Sequence, residues 1–578
     1  MIMNIFNQLK QDIIVASRQL YNNQEIANTA TIETPKDSFN GDLSSNIAMI
    51  IAAKESISPR EVALKFKEVL ITLPYIASIE IAGPGFINFT IKADSWQASI
   101  KDILQHEEKF FEIDIDKSRN INIEYVSANP TGPMHIGHAR GAVYGDVLAR
   151  ILQKVGYSVT KEYYVNDAGS QINDLVSTVL LRYKEALGEQ MTIPAGLYPG
   201  EYLIPLGQIL AKEYGNKLLT MNDAERFKII KSFAVEKMLD LNRKDLADLG
   251  IKHDIFFSEQ SLHDKGEIEA TVKLLERMGL IYEGTLPAPK GKIHEEWDNR
   301  VQKLFKSTKY GDSQDRPIAK ADGSWSYFAS DLAYAKDKIE RGANHLIYVL
   351  GADHSGYVKR IEAIVKALGK EQVKVDVKIC QLVNFVENGV PVKMSKRLGS
   401  FASVQDVNHE VGKDIIRFMM LTRQNDKPLD FDLVKVKEQS RENPIFYVQY
   451  AHVRTISILS KARELMPESY NHFEAGKYDL SLLSSEEEIE IIKLLASWTK
   501  TLEAAAKYFE PHRIAFYLIN LASKVHSMWN FGKENSDYRF VIESNKELTL
   551  ARLALASAIR KVIASGLEVI GVEPMNKM

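Results

Sequence analysis

The chain has 578 residues, 45% of them apolar and 26% charged; it is too long for one ordinary core and too apolar for global disorder, so about two to four domains are expected. Lys and Arg total 73 against 76 Asp and Glu, a formal net charge of -3, which excludes strongly cationic whole-chain chemistry. It leaves a nucleic-acid partner open, because phosphate contact depends on where positive charge lies rather than on its sum.

In the first twenty residues the only apolar run is Ile13-Ile14-Val15-Ala16, shorter than a secretory core. No stretch reaches the roughly 18 apolar residues of a membrane span. The single cysteine, Cys380, excludes an internal disulfide and any site needing two thiolates. A soluble, cytoplasmic protein with no membrane partner is expected.

The first hundred or so residues predict an α+β unit. Ser58-Pro59-Arg60-Glu61 has Ser at a candidate N-cap, Pro at N1 and Glu at N3 ahead of Val62, Ala63 and Phe66, the layout of a capping box. Two β-like runs flank Gly83-Pro84-Gly85 between Ile79 and Ile91 and predict a hairpin. Ile121 to Val126 alternates and ends in the turn-forming SANPTGP. A helical pattern starts near His135, with Ala139, Val143, Val147 and Ile151 at steps of four. Gly156 closes it and SVTKEYYV reads as a strand, which makes a βαβ unit and implies a parallel sheet. Part of 170–320 is expected as an insertion. His345 to Asp353 reads as a further strand, VKRIEAIVKALG as a helix, and VDVKICQLVNFV as one β-rich run. After about 430 strand signals stop. Ser485 and Glu488 form a second candidate capping box, and Ile492, Leu495, Trp498 and Leu502 lie along one expected helix face; the last 140 or so residues predict a helical bundle.

Two motifs carry chemistry. In PTGPMHIGHARG, Pro130 to Gly141, a Gly/Pro loop leaves a strand and a helix opens with His135 and His138 three residues apart. A helix N-terminus offers unpaired N–H groups and a positive dipole end to phosphate. Two imidazoles add donors, and Gly137 permits close approach to the backbone. A metal pair is the alternative, but the neighbouring residues supply no third ligand at a recognised spacing. In VPVKMSKRLGS, Val390 to Ser400, Lys393, Lys396 and Arg397 flank Ser395 on a short loop. Alone, this reads equally as a solvated basic run or as a clamp that neutralises charge on a leaving polyphosphate.

The two motifs, about 255 residues apart, resemble the HIGH and KMSKS signatures of class I aminoacyl-tRNA synthetases, here His135-Ile136-Gly137-His138 and Lys393-Met394-Ser395-Lys396-Arg397, with Arg397 where that family has Ser. Within class I the whole chain resembles the arginyl-tRNA synthetase family. The likeness rests on GDLSSNIAM, AGPGFINF, IEYVSANPTGPMHIGHARGAVYGD, YPGEYL, YVLGADHSGYVKR and VNFVENGVPVKMSKRLG. It implies an α/β Rossmann-like parallel-sheet catalytic core with an N-terminal α+β domain and a C-terminal all-α helical bundle. The implied divisions are 1–115, contacting the tRNA corner; 116–385, catalytic with an insertion; 386–435, signature loop and connection; and 436–578, anticodon binding.

The resemblance further implies ATP-dependent activation of L-arginine and its transfer to tRNA(Arg), with Mg2+ brought by ATP, no structural zinc, a monomer, and activation that depends on bound tRNA. His135, His138, Lys393 and Lys396 would act on the phosphates. Pro130, Thr131, Gly132, Gly137, Met394 and Ser395 would complete the ATP seat. Glu124, Ser127, Asn129, Tyr327, Asp331, Asp353 and His354 would hold arginine. The family commonly has Thr-Arg before the Asp331 position, where this chain has Ala329-Ser330. Independently of likeness, a guanidinium with five donors and a permanent charge calls for carboxylates and a flat aromatic or hydroxyl partner. Read without the family, Asp331 is sooner an N-cap of the helix that follows than a ligand contact, and Glu124 sooner a surface-facing strand residue. A cysteinyl-type synthetase needs several zinc ligands that one thiol cannot copy. An HxGH nucleotidyltransferase leaves the tail without work, and a scaffold with an inactive core does not need both intact motifs.

Overall fold

The structure, a computed structural model, describes residues 4–22, 28–35, 37–105, 113, 118–286, 301–369, 372–391, 403–440 and 442–578. It divides into two compact units: Met1–Asp114 with Gln439–Phe509 and Arg513–Met578, and Ile115–Glu438 with Glu510–His512.

In the first unit β1 (Ile32–Glu33), β2 (Leu43–Ser45), β3 (Ile76–Ala82) and β4 (Phe86–Ile91) form an antiparallel sheet in the order β1-β2-β4-β3. The expected hairpin joins β3 and β4. Gly83 and Gly85 take φ of 51° and 138°, values that an L side chain rarely adopts. Helix Pro59–Leu70 begins where Ser58-Pro59 predicts, but the Ser58 side chain makes no cap hydrogen bond, so Pro59 rather than a capping box sets that start. The second expected box is complete: Ser485 and Glu488 each accept the other's backbone N–H at the head of Glu486–Ala496. Ile492 to Leu502 is not one helix, however. Ser497 turns its N–H back to Lys493 and Leu494 and closes the first helix, and Trp498–Tyr508 starts anew. Lys546–Val569 buries Leu553, Leu555, Ile559, Val562 and Ile563 around its circumference and is the core helix of the bundle. The N-terminal segment and the bundle share one unit and are tied by specific contacts. Gln97 Nε2 donates to Leu483 O at 2.9 Å, Asn4 Nδ2 to Ala496 O at 2.7 Å, and Lys493 pairs with Asp42 at 2.7 Å.

The second unit is built on β5 (Asn120–Glu124), β6 (Ser158–Val165), β7 (Ile255–Ser258), β11 (His345–Gly351) and β12 (Lys374–Cys380), all parallel, in the order β12-β11-β5-β6-β7. Between them β8 (Ile281–Gly284), β9 (Gln302–Phe305) and β10 (Arg316–Pro317) form a small antiparallel sheet. The βαβ expectation holds: helix Ile136–Lys154 links β5 to β6. Three helices, Ser170–Ala186, Ile204–Tyr214 and Asp223–Asp248, fill the excursion before β7 returns to the sheet, and the small sheet β8–β10 is a second excursion before β11. The alternation read in Ile121 to Val126 does not sort the strand into an inner and an outer face. Ile121, Asn122, Ile123, Glu124 and Tyr125 are all buried, as a central strand covered on both faces requires, and Glu124 is no surface residue.

The β-rich run after Val375 is two strands in different sheets, β12 and β13 (Val383–Glu387). Arg140 enforces the break: its guanidinium donates to Gln381 O at 2.9 Å and Gln424 O at 2.8 Å, drawing the carbonyl at the junction out of a ladder. β13 pairs antiparallel with β14 (Val390–Pro391) and parallel with β15 (Leu429–Asp432). The strand order reverses between β5 and β11, and their carboxyl ends open the crevice where parallel sheets bind ligands.

Candidate active site

The loop leaving β5 begins with strain. Val126 and Ser127 sit at φ of 70° and 41°, and a β-branched residue there is costly and persists only where its surroundings over-determine it. The surroundings do so. Tyr163 Oη donates to Ala128 O at 2.7 Å, Asn129 Nδ2 to Gln171 Oε1 at 2.8 Å, and Tyr202 Oη to Thr131 O at 2.8 Å. Met134 donates its N–H to Asp245 Oδ2 at 3.2 Å. Gln171, Tyr202 and Asp245 all come from the insertion, which thereby braces the loop along its length. Pro130 is buried, and a Cβ on Gly132 would come within 2.8 Å of the Tyr202 hydroxyl, so any larger residue there would have to push Tyr202 from its place on the loop.

His135 is the N-cap of helix Ile136–Lys154. Its backbone N–H donates to His138 Nδ1 at 3.2 Å, and the two rings stack with centroids 3.8 Å apart. Gly137 leaves room for this stack: a Cβ there would lie 2.9 Å from the His135 ring. Because Nδ1 of His138 accepts, its proton resides on Nε2. Burial lowers both imidazoles, and burial with the neighbouring His135 brings His138 to about 4. Both are neutral donors at physiological pH.

Lys393, Met394, Ser395, Lys396 and Arg397 lie outside the described residues. The two ends of their loop do not. Val390–Pro391 pairs with β13, and Ser403 forms an antiparallel bridge with His135 while Val404 donates to Met134 O at 2.8 Å. The downstream root of the basic loop is thus stitched to the histidine loop.

A second cluster lies at the end of the same strand. Glu124 Oε2 pairs with Lys338 Nζ at 2.5 Å, and Ser127 Oγ donates to Glu124 Oε1 at 3.3 Å. Asp331 is not an N-cap. Ser326 holds that position and Asp331 sits in the second turn of Tyr327–Glu340, one turn from Tyr327 on the same face. Tyr327 is 54% exposed, with Lys320 Nζ 5.6 Å from its ring centroid. The buried Glu259, just beyond β7, accepts hydrogen bonds from Ser330 and Tyr164. Desolvation first, then Glu259 and Glu124, push Asp331 up to about 7, against the pull of Arg360 and Lys338. Three carboxylates from three chain segments therefore act on one another. Asp353 and His354 lie on the turn after β11 with Oδ2 and Nε2 3.3 Å apart, both well exposed. Asp353 acts on His138, which puts this turn beside the histidines.

Glu259, Tyr202 and Asp245 escaped the sequence reading. The signal for Glu259 was its place directly after a β-rich FFS; Tyr202 lies in YPGEYL, a stretch of the family likeness that was given no role, and nothing local marks Asp245. A cavity of about 240 Å³ lined by Asn120, Asn122, Ser158, Thr160, Lys338 and Arg341 lies at the amino ends of β5 and β6, the wrong end of the sheet for this crevice. Among the described residues no three His, Cys, Asp or Glu side chains converge on a metal position.

Residues 99–432 match the family model described as tRNA synthetases class I (R), catalytic domain. Residues 7–91 match the arginyl tRNA synthetase N terminal domain, and 448–578 the DALR anticodon binding domain. The chain is 98% identical to the arginine–tRNA ligase of Rickettsia conorii and 92% identical to that of Rickettsia typhi, over 576 residues and the full length of both chains in each case. It superposes on the arginyl-tRNA synthetase of Thermus thermophilus with a TM-score of 0.73 at 17% identity, over 99% of this chain and 100% of that one, a likeness of fold.

Proposed function

The chain belongs to the arginyl-tRNA synthetases of class I, enzymes that use ATP to form arginyl-adenylate and pass the arginyl group to tRNA(Arg), and from that premise we propose how its described side chains do so. The observation that carries the proposal is the histidine loop, bridged at His135 to the root of the basic loop, beside three coupled carboxylates at the carboxyl end of the same strand.

Arginine enters with its guanidinium toward Asp331, Glu259 and Glu124 and over the exposed Tyr327, a set that answers a planar fork of donors. Ser127 and Asn129, fixed on the strained loop, receive its amino and carboxylate end, with Asp353 and His354 at the rim. The carboxylate oxygen attacks the α-phosphorus of ATP; that O–P bond forms as the bond to the bridging oxygen of pyrophosphate breaks. No proton need move, which suits imidazoles that stay neutral and donate from Nε2 to phosphate oxygens. His135 and His138 hold the phosphates, with Pro130, Thr131, Gly132 and Gly137 giving close backbone approach. Lys393, Lys396 and their neighbours Met394 and Ser395 close on the departing pyrophosphate. In-line placement and charge stabilisation supply the rate. Mg2+ carried with ATP would neutralise part of the phosphate charge. In the second step the terminal 2′-hydroxyl of tRNA attacks the arginyl carbonyl; the new ester C–O bond forms as the carbonyl-to-phosphate C–O bond of the adenylate breaks, and the hydroxyl proton passes to the departing AMP phosphate or to water.

For tRNA, the helical tail offers an aromatic platform. Arg454 lies 4.2 Å from the Tyr450 ring centroid and 5.1 Å from that of Trp529, its Nη1 2.7 Å from His526 Nδ1. Stacked aromatic and guanidinium planes are the usual seat for unstacked RNA bases. We assign 436–578 to the anticodon, 1–115 to the tRNA corner, 116–385 to adenylate formation and 386–435 to the signature loop and its connection. We read the enzyme as a cytoplasmic monomer; no described helix is long and apolar enough to cross a membrane. The test is a charging assay with purified tRNA(Arg) and each of the twenty amino acids, with pyrophosphate exchange measured with and without tRNA. Arginine alone should be charged, and exchange should be weak until tRNA is added; charging of another amino acid in preference to arginine would overturn the pocket assignment.

A further inference from the structure

Lys338 belongs to the same helix as Asp331, seven residues on, so two turns place both on one face. Its side chain is fully buried, rare for lysine unless it is paired. Its ammonium sits 2.5 Å from Glu124 Oε2 and 4.2 and 4.1 Å from the ring centroids of Tyr334 and Tyr348. One carboxylate and two aromatic faces thus surround a point charge. The other buried carboxylate nearby, Glu162, is already matched: Arg341 donates to both of its oxygens at 2.8 and 2.9 Å, and Tyr334 Oη and Asn122 Nδ2 at 2.7 and 2.6 Å. The partner left to Lys338 is Glu124.

We propose that Lys338 is a positioning residue that excludes lysine as a substrate: its ammonium occupies Glu124 Oε2 as a resident cation, so an incoming alkylammonium meets a carboxylate already taken. A guanidinium loses little by this. It is a planar fork whose donors spread over several acceptors, and Asp331, Glu259 and Glu124 Oε1 remain. An ammonium is a compact point charge that needs one carboxylate at close range, and the carboxylate nearest the strand is closed to it. Lys338 acts only through Glu124, which it orients; it touches neither substrate in this scheme. The inference rests on reading the Glu124, Glu259 and Asp331 cluster as the arginine seat.

The experiment measures tRNA(Arg)-dependent kcat and KM for arginine and for lysine on the full-length enzyme. In Lys338→Met the arginine-to-lysine ratio of kcat/KM should fall at least about tenfold, through a gain for lysine and a higher arginine KM, with the ATP KM unmoved. In Lys338→Met/Glu124→Gln the ratio should return to within about threefold of the wild type, because the freed carboxylate is gone. Equal losses for both amino acids, or a double variant that still accepts lysine, would overturn the proposal. If Lys338→Met does not fold by circular dichroism, Glu124→Gln alone decides: arginine KM should rise while lysine stays excluded, and admission of lysine refutes the idea. Asp331→Asn separates this from the underlying reading. An unmoved arginine KM there means the pocket lies elsewhere; a raised one with an unchanged ratio in Lys338→Met means only that Lys338 is not the excluder.

Discussion

The histidine loop is held by hydrogen bonds to its backbone from four chain segments and carries imidazoles that burial keeps neutral. The pocket beside it is held by buried charges that act on one another across three segments. The contrast follows from what each end must bind. A polyphosphate is recognised by many donors in fixed positions, so rigidity of the backbone matters most and side-chain charge can be left to the ligand and to the lysines of the second signature. A guanidinium brings a permanent positive charge into a desolvated place, so the protein must store negative charge there, and stored charge repels itself and shifts proton affinity.

The contrast can be broken first at its charged side. Asp331→Ala leaves a buried cation short of its partner and should lower kcat/KM for arginine by on the order of 10³, seen mainly in KM with the ATP KM unchanged; a parallel rise in ATP KM would merge the two regions. His138→Ala removes a donor that matters most in the transition state and should lower the activation rate about 10²-fold, with arginine binding, measured by calorimetry, retained. The pH dependence sharpens the distinction. With its carboxyl at about 7, Asp331 is protonated below neutrality and ionised above it, and only the ionised form pairs with a guanidinium. From pH 8 down to 6, kcat/KM for arginine should therefore fall about tenfold. The KM for ATP should stay flat over that range, since His138 at about 4 remains neutral throughout, and Asp331→Asn should abolish the slope. The smallest effect belongs to the brace: Tyr202→Phe loses one hydrogen bond to Thr131 O and should raise the ATP KM by roughly three- to tenfold, without touching the arginine KM.

Features set within a few residues were legible. The start of the histidine helix at Ile136, the hairpin at Gly83-Pro84-Gly85 and the Ser485–Glu488 box all depend on neighbours one to four positions away. Local reading failed where two local signals competed. Ser326, not Asp331, caps its helix, and Ser497 cuts a continuous apolar face in two. It was blind where the partner is remote. Thr131 and Tyr202 are 71 residues apart, Met134 and Asp245 are 111, and Glu124 and Lys338 are 214; no spacing in the chain announces such a pair.

The parallel-sheet core, the helical tail and the pair of signatures are legible in the chain, because backbone geometry, caps and hydrophobic period are written in short-range order. Folding alone turns Glu124 inward onto a lysine, brings Glu259 to Asp331, and braces the histidine loop with the insertion. Burial and proximity between distant segments exist only after folding, and they set which proton and which partner each of these groups keeps.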